Sequence, residues 1–556
     1  MKLPGIGGTT IERAEWRGAA AIAAIVVALS ALPYLFGWFL RPADFMGHLY
    51  NADDPNVHLA WMRQAAEGHW LFTDRFTSEP QQPQFTHLLF LALGKLAGLA
   101  GGSYRALIVV YHLARLLCGW LLLVAVYVLV AYIYKDKQTR RLALWMVALS
   151  SGLGWLLTLL RGPGDYSCDY VSGPGLVMPE AITFLSLLIF PLFVASLLLI
   201  VALYLLLLRA FDTGRLLPAV GAGVMGLLLG HIHSYDILPV YATIAVYLMV
   251  LGISRRALPY REIGLAAVVV ALSLPAPAYQ YFVFQTNPIF QQKALTPTLS
   301  PSLDRYLLTY GLVALMAVVG ALGLRRTPNR HGGLLVVWAV VTLAMTYAPV
   351  SFQRKMIEGV HIPLAILAAA GWAALGQRWR LRPALWLPLL VLLTVPSNVA
   401  FTGQCLRRLI TNNLEGVQSL LPMYYLDADQ RAALDWLATH GRPEDVVLGA
   451  PPDTCYLPPY SGVRTYVSHW AETIDPDRKR RELLTFLDAG TPDEWRQRFL
   501  REAQIRYVYH GPVERAIGTY DPAQAPFLRP VVSRETVALY EFVPDSAGGP
   551  LPEAGR

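Results

Sequence analysis

Apolar runs of roughly twenty residues, the length a helix needs to cross a bilayer, recur along residues 18–402, separated by polar stretches. About eleven of them read as spanning helices. They lie at residues 18–40, 106–134, 142–160, 186–208, 216–232, 234–253, 263–284, 306–324, 332–349, 361–377 and 383–402. The first run is too long for a typical signal core, so it reads as an uncleaved span rather than a leader.

The pattern changes after residue 427. DADQRAALDWLATH has helical spacing with Asp427 at its start. DVVLGAP, IRYVYHG and ETVALYEFV read as strands, and DRKRRELLTFLDAG and PDEWRQRFLREAQ as polar helices. The expected architecture is therefore an all-α polytopic membrane domain over residues 18–402, a linker over 403–426 and an α/β domain over 427–556. A cytoplasmic N-terminus, residues 1–17, precedes them.

Charge sorts the loops. Lys135, Lys137, Arg140 and Arg141 stand in one loop, Arg209 and Arg215 in the next of its set, then Arg255, Arg256 and Arg261. Arg325, Arg326 and Arg330 follow, then Arg378, Arg380 and Arg382. Every second loop is short and basic, which marks these as cytoplasmic and, with an odd span count, puts the C-terminal domain outside a cell or inner membrane. Composition agrees: 55% of the 556 residues are hydrophobic and 15% charged, with mean hydropathy +0.41. The formal charge of +8 is explained by these topology signals and does not require nucleic acid as a partner. No CxxC pair occurs among Cys118, Cys168, Cys405 and Cys455, so that zinc-site spacing is absent. The Gly- and Pro-rich segment 161–180 reads as an irregular outer loop.

The first outer segment, residues 41–105, carries the candidate chemistry. In MGHLYNADDPNVHLAWM, Asp54-Pro55 fits an N-cap and a first helical residue. Val57, Ala60, Trp61 and Ala65 then share one face, which predicts a short helix on the membrane surface with Trp61 at headgroup depth. THLLFLALGKLAGLAG reads as a second, half-inserted helix. Asp54 thus has a capping role available. Asp53 precedes the cap, and a carboxylate there can act as a general base toward an acceptor hydroxyl. The bland alternative for Asp53 is a solvated loop residue.

Other outer ends of spans also carry ionisable groups. GHIHSYD supplies His231, His233 and Asp236, and QRKMIEGVH supplies Arg354, Lys355, Glu358 and His361. Such groups at a membrane edge suggest a site. A lipid-linked phosphate would explain Arg354 and Lys355, with His361 or His231 assisting. Snorkelling to anionic headgroups is the alternative for the two cations. His58, His233, Asp236 and Glu358 are candidate substrate contacts. The HxH-plus-Asp spacing could bind a divalent metal, but no further ligand is evident, so packed histidines are expected and no metal is assigned.

A first span, an acidic outer loop with interfacial helices, further spans and an outer soluble domain together resemble the GT-C superfamily, which includes protein O-mannosyltransferases and the aminoarabinose transferase of lipid A. DDPNVHLAWM, GHIHSYDILPVYA and QRKMIEGVHIPLAILAA look like segments of bacterial members. The resemblance covers residues 18–402 in architecture and a handful of positions in motif. It implies a glycosyltransferase that moves a sugar from a polyprenyl-phosphate donor, its co-substrate, to an acceptor at the outer face. Asp53 matches the catalytic aspartate best and Asp54 next. The pair is Asp-Asp here where mannosyltransferases carry Asp-Glu, so the resemblance does not extend to sugar or acceptor. Two other classes fit the same composition: a transporter or flippase for an anionic lipid-linked substrate, and a non-catalytic membrane scaffold. Neither needs Asp53 as a base.

Overall fold

A computed structural model describes residues 11–42, 44–51, 53–161, 178–326, 331–380, 383–412 and 424–544. Most of the loop expected over 161–180, with Cys168, and residues 413–423 of the linker lie outside them. Cys118, Cys405 and Cys455 are free thiols. The chain forms two compact units. One comprises Met1–Leu40, Thr86–Leu93 and Ile108–Thr411; the other comprises Arg41–Phe85, Gly94–Leu107 and Asn412–Arg556.

The first unit is helical. Among the described residues, six helices are long and apolar enough to cross a membrane: Arg13–Leu40 (α1), Tyr104–Ile133, Pro191–Thr213, Ser234–Arg255, Leu303–Leu324 and Gln353–Arg378. Two further expected runs are bent pairs, Tyr260–Ser273 with Pro275–Thr286 at 41° and Trp386–Thr394 with Pro396–Thr411 at 46°. Proline begins the second half of each pair, where it removes a backbone donor and clashes with the preceding turn. Counting each pair as one span gives up to eight, where about eleven were expected. The runs 216–232 and 332–349 form the shorter apolar helices Leu216–Ile232 and Gly332–Met345.

The run 142–160 is broken, into Lys137–Leu149 and Gly154–Arg161. The break falls at Ser150, Ser151 and Gly152, and backbone groups of the last two find partners on other helices. Ser151 N–H donates to Thr394 O at 2.6 Å, and Ser397 Oγ donates to Gly152 O at 2.9 Å. Any Cβ on Gly152 would collide with the Thr309 carbonyl. Interrupted helices inside a membrane protein survive where neighbours satisfy the freed groups. The same logic holds at Phe190, where Thr183–Ile189 ends and Pro191 starts the next helix. Arg115 Nη1 donates to Leu187 O at 2.5 Å and Tyr34 Oη to Leu188 O at 2.8 Å.

The second unit holds a five-stranded sheet of order β2-β1-β3-β5-β4. Its strands are β1 Val446–Leu448, β2 Arg464–Thr465, β3 Ile505–His510, β4 Leu528–Ser533 and β5 Ala538–Phe542. β1 pairs in parallel with β2 and β3, while β5 runs antiparallel to β3 and β4. Leu483 and Phe486 of one amphipathic helix and Phe499 and Leu500 of another pack on Val446, Leu448, Val508 and Tyr540. The helix Ala428–His440 starts with a capping box: Gln430 N–H donates to Asp427, and Asp427 N–H to the Gln430 side chain.

The early segment 41–85 belongs to this same unit and is stitched into it. Thr465 N–H donates to Arg75 O at 3.0 Å. Lys479, buried, ion-pairs with Glu79 at 2.7 Å and donates to Thr77 Oγ1 at 3.1 Å. The helix Asp53–Ala66 (α2) is correspondingly not a surface helix. Trp61 is 2% exposed and packs 5.5 Å from Phe72, ring to ring. Most of α2 from Pro55 onward is buried on both of its faces. The apolar stripe that predicted a membrane-surface helix is covered by protein instead. Gly94 of the helix Leu88–Leu99 lies against the α2 backbone at Met62 and Ala65, a closeness no Cβ allows.

Candidate functional site

Two clusters of ionisable side chains stand out, one in each unit. In the second unit, α2 begins at Asp53, one residue before the expected cap, so Asp53 and Asp54 both occupy its first turn. Exposed amide hydrogens and the helix dipole favour negative charge there. Asp54 Oδ2 accepts from Asn51 Nδ2 at 2.6 Å. Asp53 is half-buried as a residue, yet its Oδ1 is fully buried and has no hydrogen-bond partner among the described residues.

A histidine that sequence reasoning missed completes this group. His469 Nε2 stands 3.5 Å from Asp54 Oδ1. Its Nδ1 accepts from the backbone N–H of Ala471 at 3.0 Å and of Glu472 at 3.1 Å. The ring also meets Phe76 edge-on and stacks on Trp470. Burial works against a charged imidazole, but the neighbouring Asp54 and Asp53 carboxylates outweigh it and raise its proton affinity. The two amides oppose them, since a proton on Nδ1 would face both N–H groups. The amide contacts are the shorter, so the form this geometry holds is the neutral ring with its proton on Nε2, facing the carboxylates.

Burial pushes the Asp53 carboxyl up to about 6; His469 pulls it down and Asp54 pushes it further up. Asp53 is therefore a stronger base than an ordinary carboxylate. Nearby, burial lowers His48 to about 4, leaving it neutral. Its ring stacks on Tyr456, and its Nε2 lies 3.4 Å from Tyr104 Oη. Burial and the Asp53 charge both hold the Cys455 thiol protonated. His58 is buried within α2.

In the helical unit, the turn Gln353–Ile357 leads through Glu358 and Gly359 (φ +85°) into the helix His361–Arg378. Arg354 Nε lies 3.4 Å from Glu180 Oε1. Lys355 Nζ donates to Tyr235 Oη at 3.3 Å and sits 4.6 Å from that ring's centroid, a cation–π contact. His233 Nδ1 is 2.9 Å from Asp236 Oδ2 and 3.0 Å from Glu358 Oε2. The structure thus brings Arg354, Lys355, His233, Asp236 and Glu358 into one neighbourhood through Tyr235, whose ring stands 5.1 Å from that of His233.

His361 and His231 are placed otherwise. His361 is buried, with Nδ1 2.9 Å from Thr183 Oγ1 and Nε2 3.2 Å from Ser150 Oγ, so both ring nitrogens are engaged by hydroxyls. The His231 ring faces Tyr279 at 6.2 Å.

No protein-family model matches the chain, and no curated protein matches it. Among solved structures, the oligosaccharyltransferase of Archaeoglobus fulgidus in its apo form aligns with 90% of this chain and 70% of its own, at TM-score 0.50 and 13% identity. The same enzyme tethered with an acceptor peptide containing the NVT sequon aligns with 90% of this chain and 69% of its own, at TM-score 0.49 and 14% identity. At such identity the likeness is one of fold. The chain is a multi-pass membrane protein similar in fold to that oligosaccharyltransferase.

Proposed function

We propose that this protein is a GT-C type membrane glycosyltransferase that takes a sugar from a polyprenyl-phosphate donor and passes it to an acceptor hydroxyl at the outer face. The observation that carries the reading is Asp53, at the start of α2, with a buried Oδ1 that has no hydrogen-bond partner among the described residues and a carboxyl pushed up to about 6. A carboxylate in that state is suited to accept a proton and is otherwise costly to keep. The GT-C fold, shared with an enzyme named for transferring oligosaccharide, supports the reaction class.

In the proposed step the acceptor oxygen attacks the anomeric carbon while its proton passes to Asp53. The bond from that carbon to the phosphate oxygen breaks, and the phosphate leaves with the electron pair. The leaving group gains one negative charge. Arg354, beside Glu180, and Lys355, against Tyr235, are assigned to bind the donor phosphate and stabilise that charge. A donor that diffuses in the membrane presents its phosphate at headgroup depth, and no nucleotide site is needed. His233, Asp236 and Glu358, in the neighbourhood of Tyr235, are assigned as substrate contacts.

Native mass spectrometry of the purified protein titrated with polyprenyl-phosphate sugars tests the donor assignment. Wild type is expected to bind saturably, and Arg354→Ala to bind at least tenfold more weakly, the scale of a lost charge-assisted hydrogen bond. Absence of saturable binding to every such donor sinks the reading in favour of a transporter or scaffold.

A further inference from the structure

We propose that His233, Asp236 and Glu358 hold a divalent first-row transition-metal ion, Mn2+ or Zn2+, within the helical unit. The three come from two parts of the chain. His233 ends the helix Leu216–Ile232, Asp236 closes the turn Ser234–Asp236, and Glu358 follows the turn Gln353–Ile357. One ligand atom from each lies within 4.8 Å of the others. His233 Nδ1 stands 2.9 Å from one carboxylate and 3.0 Å from the other. Three ligands around one ion at ~2.1 Å are expected to lie ~3–3.4 Å apart, so the two spacings from His233 need little adjustment.

Hydrogen bonding alone leaves the cluster unsatisfied. His233, Asp236 and Glu358 are 9%, 2% and 3% exposed. Asp236 Oδ1 and Glu358 Oε1 are fully buried and have no hydrogen-bond partner among the described residues. One ring nitrogen donates one hydrogen, so it cannot serve both carboxylates. With both carboxylates ionised, even a charged His233 would leave a buried excess of one negative charge, an expensive state. Arg354 is directed to Glu180 and Lys355 to Tyr235. A divalent ion matches two carboxylates in charge and gives the buried oxygens a partner. One imidazole and two carboxylates suit Mn2+ or Zn2+ better than Ca2+, which prefers an all-oxygen shell, or Cu+, which prefers sulfur. His233 would bind through the Nδ1 lone pair and carry its proton on Nε2.

Three protein ligands leave coordination positions open. An oxygen of the donor phosphate fits one of them; this role rests on the proposed donor reading, while the ion site does not. The sequence held two of the ligands in its HxH-plus-Asp stretch. Glu358 is the one that spacing could not supply, and His231 is not part of the set.

The test needs no sugar donor. Full-length protein in lipid nanodiscs is stripped with EDTA, dialysed against Mn2+ or Zn2+, and assayed for bound metal by mass spectrometry and for thermal unfolding. Wild type is expected to retain one equivalent and to unfold several degrees higher with metal than without. Glu358→Gln and Asp236→Asn, each near-isosteric, are expected to bind at least tenfold more weakly, whereas Asp53→Asn keeps the equivalent. Wild type that retains no metal and shows no thermal shift overturns the site, even if a variant fails to fold. Equal retention in wild type and Glu358→Gln overturns it too. Metal uptake without donor turnover would leave the ion site standing and sink the transferase reading alone.

Discussion

The two clusters use the same residue types to opposite ends. Around Asp53 and Asp54, the imidazole of His469 is pinned through Nδ1 by two backbone amides and turns Nε2 toward the carboxylates. In the helical unit, no backbone amide among the described residues holds Nδ1 of His233; it faces Asp236 and Glu358 directly. A histidine already tied by amides can tune a neighbouring base. A histidine whose Nδ1 lies between two carboxylates can give up its proton there to a metal ion. What separates the two histidines is whether the backbone occupies Nδ1, not the residue types alone.

The sharpest way to break this comparison is to remove the base. Asp53→Asn is expected to lower donor turnover by about 10²-fold or more, the usual scale of general-base catalysis. Turnover assays of folded variant protein check it. Arg354→Ala should act on the other half of the comparison, weakening donor binding by about tenfold with a smaller effect on the proton-transfer step. A titration at saturating acceptor separates the two.

His469→Ala is expected to cost about tenfold or less and, more tellingly, to move the pH profile. Its Nε2–H faces the carboxylates and favours their ionised forms, so losing it should shift the acidic inflection upward. A purely structural His469 would lower the rate without moving that inflection.

The smallest expected effect is on stability, and its sign is informative. The folded Asp53 carboxyl, at about 6, lies above its ordinary 3.8. A carboxyl raised on folding costs stability as pH climbs through its folded value. Asparagine has no such charge, so at neutral pH Asp53→Asn should unfold at the same temperature as wild type or slightly above it. A clear drop in unfolding temperature would mean Asp53 is structural, and the comparison would lose its base.

Much of the second unit was legible because its signals are local. Asp427 and Gln430 form a capping box within one turn, and β1, β3 and β5 carry short apolar patterns. β4 was missed because Pro530 interrupts it, which an edge strand tolerates. β2 has only two residues. In the helical unit, apolar runs located the helices, but periodicity could not reveal the break at Ser150–Gly152, which depends on acceptors and donors from other helices. The α2 stripe was read correctly as a helix face and wrongly as a membrane face, since an apolar stripe does not say what covers it. His469 and the pairing of Glu358 with His233 were invisible for a related reason. Each is a contact between distant segments, and neither VSHWAE nor RKMIEG has the spacing of a known site motif.

The central claim is tested most directly by following release of polyprenyl phosphate from a polyprenyl-phosphate sugar, from about pH 5 to about pH 8, for wild type and Asp53→Asn. Only ionised Asp53 can take the acceptor proton. The account therefore predicts a wild-type rate that rises about tenfold per pH unit below an inflection near 6 and then levels, with a low and flat profile for the variant. Equal turnover in the two proteins, or a wild-type profile with no acidic inflection, would contradict it.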